Sequence, residues 1–234
     1  MSLSDVAVGA RLHAVTRAIE TPQELLDHLG EDGFAWFGED VAFVTAGVAA
    51  EVEPAAAADL LRAVQHDAAA GIPNAAGPLA VGALPFSGNG RLVVPDEIVG
   101  ITPNGRAWAT TIDGRAPARA RRHDAPNGYR VEAVATQPEW ASSVETALGE
   151  IESGALLKVV LAREVRVSAD SPFDIVGVLA HLRRAQPGCF VFADRGFVGA
   201  TPELLVRRAG ERVTCRPMAG TMPRGSNNQD VVAR

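Results

Sequence analysis

The chain has almost no lysine. Its 22 basic residues are 21 arginines and one lysine, Lys158, set against 28 acidic residues for a formal net charge of -6. That balance excludes the clustered basic surface that a phosphate backbone rewards, so nucleic acid is not expected as the main partner. Cysteine is scarce as well. Cys189 and Cys215 show no CxxC or Cys/His spacing, which argues against a zinc site, and both read as ordinary buried residues. No apolar run reaches the roughly 20 residues of a membrane helix, and Met1-Ser2-Leu3-Ser4-Asp5 lacks the basic-then-apolar layout of a signal peptide. A cytoplasmic protein without a membrane partner is expected. There is no Walker pattern and no GxGxxG, and His13, His28, His66, His123 and His181 are scattered. Nucleotide binding, a hydrolytic triad and a histidine metal site therefore have no support.

What is present suits a packed fold. Of the 234 residues, 47% are hydrophobic, ample for a core. Residues 33–44 read as a hairpin about a Gly38-Glu39-Asp40 turn, and the alanine-rich stretch from Pro54 to Ala70 as a helix ending near Gly71. Strand-like pieces at 79–84, 91–94, 97–101 and 106–112 are parted by glycine and proline. Residues 1–112 thus form a sheet-rich lobe. A loop at 113–130, rich in Arg, Ala and Pro, is expected to be mobile, with Arg119, Arg121 and Arg122 solvated. Pro138 to Ser153 has helical periodicity with Gly154 as its stop, and 157–167 reads as a strand with Lys158 on its Val160 face. A second helix is expected from Ser171 to about Ala185, followed by strands at 189–194, 197–208 and 212–216. Strands with interspersed helices, lacking strict alternation, indicate an α+β fold.

Three places carry chemistry. Arginine holds its proton in a protein, whereas a desolvated lysine can release it, so the lone Lys158 inside Leu156-Leu157-Lys158-Val159-Val160-Leu161 is a candidate base. A lysine snorkelling from a strand edge is the structural alternative. Glu203 interrupts an apolar strand, and burial there would favour the protonated carboxyl that a general acid needs. In Pro217-Met218-Ala219-Gly220-Thr221, Gly220 permits close backbone approach and the Thr221 hydroxyl offers a donor to a carboxylate; a plain loop is the alternative.

Lys158-Val159-Val160-Leu161-Ala162-Arg163, Gly199-Ala200-Thr201-Pro202-Glu203-Leu204-Leu205 and Ala219-Gly220-Thr221 with Pro223-Arg224-Gly225, in this order, resemble the chorismate-binding enzymes. Gly82-Ala83-Leu84-Pro85-Phe86 with Leu92-Val93-Val94-Pro95 is similar to isochorismate synthases in particular. The resemblance implies a chorismate-binding α+β fold of mainly antiparallel sheets flanked by helices, with 131–234 as the first part of its catalytic region. It also implies chorismate as substrate, Mg2+ as cofactor, Lys158 as base toward water, Glu203 as acid, and Gly220 and Thr221 as substrate contacts. Lysine in the first motif matches the water-using branch, while the ammonia-using anthranilate synthases resemble this segment with glutamine. Aminodeoxychorismate synthases carry a catalytic lysine where this chain has Ala219. Isochorismate synthesis, serving menaquinone or siderophore formation, is therefore the expected activity. A salicylate synthase-like enzyme and a non-catalytic chorismate-binding fragment are the alternatives. The family's magnesium-binding glutamates lie after the Gly-Thr loop and find no counterpart, so the resemblance implies an incomplete N-terminal portion, inactive alone, with no metal ligands of its own.

Overall fold

A computed structural model describes residues 12–218 of the chain. They form two compact units, one made of Arg122–Gly177 and the other of the residues on either side of it. In chain order, the larger unit begins with β1 (His13–Ile19), β2 (Phe34–Phe37), β3 (Ala42–Ala46), β4 (Ala50–Val52), α1 (Pro54–Ala63), β5 (Gln65–Ala68), β6 (Leu92–Val94), β7 (Glu97–Ile101) and β8 (Ala107–Ile112). The smaller unit holds β9 (Tyr129–Ala133), α2 (Gln137–Glu152) and β10 (Val165–Ala169). Helix α3 (Ile175–Ala185) leads back into the larger unit, which continues with β11 (Phe190–Asp194), β12 (Phe197–Thr201), β13 (Leu204–Ala209) and β14 (Arg212–Arg216).

An eight-stranded sheet, ordered β12-β11-β2-β3-β7-β8-β1-β5, organises the larger unit. Its ladders are antiparallel except β1 with β5. The expected 33–44 hairpin is β2 and β3, joined through Ala35 opposite Val44. Alternation builds the core: Trp108, Ile98, Val44, Ile112 and Ala14 are fully or almost fully buried. Gly100 lies opposite Trp108 across the β7–β8 ladder, and a Cβ there would overlap the indole ring. On α1, Leu60 and Leu61 pack against the buried cluster that includes Leu12, Ala14, Val94 and Ile112.

Three expectations are corrected here. The helix from Pro54 stops at Ala63, because Gln65–Ala68 hydrogen-bond to β1 as a parallel edge strand, with His13 opposite Gln65. Residues 79–84 contribute only a bridge between Val81 and Val93. The strand expected over 197–208 breaks into β12 and β13 at Pro202, which has no N–H for a ladder.

The smaller unit is built locally. Among the described residues strand β9 pairs with β10 alone, Tyr129 opposite Ala169 and Ala133 opposite Val165. Helix α2 matches its expected span because a capping box starts it: the Thr136 side chain accepts from the Glu139 N–H while the Glu139 side chain accepts from the Thr136 N–H. The Tyr129 and Phe173 rings stack with centroids 6.1 Å apart. The second helix begins at Ile175, not at Ser171, whose hydroxyl bonds Asp170 instead.

Candidate active site

Lys158 belongs to the smaller unit and is exposed. The expected strand over 157–167 is absent before Val165, since β9 offers partners only to Val165–Ala169 and the Val134 N–H adds one bond to the Glu164 carbonyl. Unpaired backbone stays hydrated rather than forming a strand. Leu157 and Val160, flanking the motif, are 95% and 93% exposed. The apolar strand face that would desolvate Lys158 is therefore not formed by the described residues. Near the end of this unit, Arg122 Nε lies 3.3 Å from the Asp174 carboxylate.

Glu203 belongs to the larger unit and is exposed, contrary to the burial expected from its apolar neighbours. It occupies the two-residue step between β12 and β13, where its N–H donates to the Thr201 hydroxyl at 3.2 Å. Strands β13 and β14 pair only with each other among the described residues. Leu204 stands opposite Arg216 in their ladder, which is irregular between Leu204 and Arg207. Arg216 makes a bidentate ion pair with Glu39, at 2.9 and 2.6 Å, and Arg207 pairs with Asp40. The Arg216 guanidinium holds the Glu39 carboxyl below its ordinary range. A cleft of about 320 Å³ lies here, with Trp36, Phe190, Leu204 and Val206 among its walls. A neighbouring cleft of about 470 Å³ includes Phe37, Arg183, Gln186 and Cys189, with the Arg183 guanidinium 4.1 Å above the Phe37 ring.

Two buried acids in the larger unit escaped sequence reasoning. Asp194 accepts from the Ala83 N–H at 2.7 Å, which ties Ala83 to the end of β11, and lies 3.2 Å from Arg195 Nε. Burial raises the Asp96 carboxyl, opposed by Arg115 at 3.6 Å. Each acid follows or ends a strand, a position that reads as a turn from sequence alone. The cysteines are also corrected: Cys189 is half-buried and Cys215 exposed. Arg119, Arg121 and Arg122 are exposed as expected, and with Arg115 they also make ion pairs. Arg119 binds Glu97 and the His28 carbonyl, and the Ala120 N–H donates to the Leu29 carbonyl at 2.7 Å, so this part of the loop is tied to the sheet. Gly220 and Thr221 lie outside the described residues.

The family model for chorismate binding enzymes matches residues 106–232, more than half of the chain. The chain belongs to the chorismate-binding enzyme family. Isochorismate synthase DhbC of Bacillus subtilis is 30% identical over 163 residues, covering 64% of this chain and 38% of that protein. Isochorismate synthase MenF of the same organism is 40% identical over 96 residues, 39% of this chain and 20% of that protein. The solved structure of MenF, the menaquinone-specific isochorismate synthase of Escherichia coli, superposes with a TM-score of 0.62 at 18% identity, covering 84% of this chain and 52% of that one. The α+β chorismate-binding fold is thereby established. The chain spans between a fifth and about half of the length of these relatives.

Proposed function

We propose that the protein to which this sequence belongs is an isochorismate synthase. The observation that carries the reading is Lys158 in the Lys158–Arg163 motif, where the water-using members of the family place lysine, in a chain whose other cations are all arginine. Chorismate is the substrate. Lys158 takes a proton from water as the oxygen attacks C2, the double bonds shift, and Glu203 gives a proton to the C4 hydroxyl, which leaves as water. The net change is an isomerisation. Gly220 and Thr221 contact the substrate, residues 1–112 serve as the N-terminal lobe, and 131–234 as the first part of the catalytic region. For this chemistry Lys158 must be desolvated, a condition its exposed position in the described residues does not meet.

The resemblance implies magnesium, which needs hard oxygen ligands, usually one or two carboxylates. Among the described residues no group of three or more His, Cys, Asp or Glu side chains is placed to hold a metal ion, so these residues do not fit the ion and no step is assigned to it. Among the described residues no helix is long and apolar enough to cross a membrane. A cytoplasmic location with chorismate as small-molecule partner, and neither nucleic acid nor membrane as a further one, belongs to the same proposal.

The test is turnover of chorismate with magnesium, resolving isochorismate from salicylate plus pyruvate. Lys158→Gln is expected to abolish water addition, and Lys158→Arg to fail too because guanidinium keeps its proton. Glu203→Gln is expected to lose roughly 10²-fold or more, the scale of a positioned acid. Near-wild-type isochorismate formation by a Lys158 variant removes that residue from the base role. Binding of chorismate in calorimetry without turnover would support the non-catalytic alternative.

A further inference from the structure

We propose that Glu39, Asp40, Arg207 and Arg216 form an ionic clamp that fixes the strand pair directly following Glu203, making these four positioning residues for the acid step. The inference rests on the reading of Glu203 given above. Its starting point is that β13 and β14 have no ladder to the eight-stranded sheet among the described residues. A two-stranded hairpin is marginal in water unless something else holds it. Burial supplies little, since Leu205, Val206 and Val213 are all exposed. The covalent link is the Pro202-Glu203 step from β12, which is itself the sheet's outermost strand on that side. The polar link is the clamp.

Its geometry leads to Glu203. The β2–β3 turn, closed by the Gly38 N–H bond to the Val41 carbonyl at 3.0 Å, presents Glu39 and Asp40 side by side. Arg216 grips both oxygens of Glu39, which fixes orientation as well as distance. In the β13–β14 ladder, Arg216 is the register partner of Leu204, the residue that follows Glu203. Arg207, on the far side of the ladder's irregularity, is held by Asp40, so the irregular stretch is bracketed by two ion pairs to one turn. In sequence, Arg216 ends β14 and only Pro217-Met218-Ala219 separate it from the Gly220-Thr221 pair, so the same residue anchors the strand that precedes it. The side chains are about half exposed, which makes each pair individually weak and the network the unit that matters.

The experiment compares the full protein with Arg207→Gln/Arg216→Gln and with the charge-reversed pair Glu39→Arg/Arg216→Glu. In the double glutamine variant kcat is expected to fall about fivefold to tenfold with KM within about twofold, and amide exchange at Glu203–Val206 to accelerate by a similar factor. Charge reversal is expected to restore both relative to Arg216→Glu alone. A folded double variant whose kcat and exchange stay within about twofold of wild type overturns the proposal, as does a loss confined to KM. Should the double variant not fold, the reversed pair decides: recovery supports the clamp, and impairment equal to Arg216→Glu alone overturns it. Should the wild-type protein not turn over chorismate, the functional reading falls on its own, while the exchange arm still shows whether the clamp holds the strand pair.

Discussion

The two units of the molecule are ordered by different forces. In the larger one, Trp108, Ile98, Val44, Ile112 and Leu179 are almost wholly removed from water, and backbone pairing runs through eight strands. In the 122–177 unit Val176 alone is buried, α2 buries no residue, and one two-stranded ladder carries the backbone pairing between strands. Hydrophobic burial, at roughly 25 cal/mol per Å², therefore holds the first unit, while capping, one ladder and a stacked ring pair hold the second. The Lys158 motif lies in the second. Its apolar residues are solvent-facing, so the side chains that mark the family most clearly add little to the stability of the region that carries them.

The difference is broken most severely from the larger unit. Trp108→Ala removes the largest fully buried side chain and leaves a cavity against Gly100, so a loss of about 3–5 kcal/mol is expected. Urea unfolding followed by far-UV circular dichroism measures it. A loss under about 1 kcal/mol would mean that the site collapses freely and that the sheet is not the unit's stabilising core.

What could be read from sequence follows the same division. The β2–β3 hairpin and α2 were legible because their determinants are local: a turn tripeptide in one, a capping box and a stop glycine in the other. The strand over 157–167 was misread because alternation states which face a strand would present but not whether a partner strand exists, and before Val165 none does among the described residues. Residues 65–68 were misread for the reverse reason, an alanine-rich segment drawn into a parallel pairing with β1 that no local signal announces. Of the candidate site, Lys158 and Glu203 were legible as chemical types within motifs. Their exposure was not, since burial belongs to the assembled fold. The clamp was invisible for a simpler reason: Glu39 and Arg216 are 177 positions apart, and each looks like an ordinary surface charge.

A smaller effect is expected in the second unit, where removing local support should disturb only local structure. Thr136→Ala deletes the cap hydroxyl of α2 and is expected to cost about 1 kcal/mol of helix stability. Hydrogen bonds from the Thr136 N–H and hydroxyl hold the Glu139 carboxyl below its ordinary value of 4.5. A carboxylate lowered on folding stabilises the folded form above its unfolded pKa, and that contribution is lost as pH falls through the lower, folded value. Amide protection in the first turn of α2 should therefore weaken as the solution is acidified below 4.5, and Thr136→Ala should flatten that dependence. Exchange at the amides of β7 and β8 serves as the control, and an equal change there would mean that the two units unfold as one.

The smallest effect sharpens the comparison furthest, because it is placed within the motif itself. Leu157 is 95% exposed and precedes Lys158, on a stretch with no strand partner among the described residues. Replacing an exposed leucine away from caps, ladders and ion pairs changes stability by no more than about 0.5 kcal/mol. Leu157→Ser in the 234-residue chain is accordingly expected to leave the urea midpoint and the unfolding slope as they are. The alternative has a definite size, since a leucine buried on a strand face would cost about 2–5 kcal/mol when its apolar contacts are removed. The two outcomes are far enough apart to decide the matter in one measurement. A cost in the upper range would place Leu157 against an apolar surface, restore the strand expected over 157–167, and give Lys158 the dry neighbourhood that a lysine base requires. A negligible cost would locate the desolvation of Lys158 outside the residues that surround it in this chain.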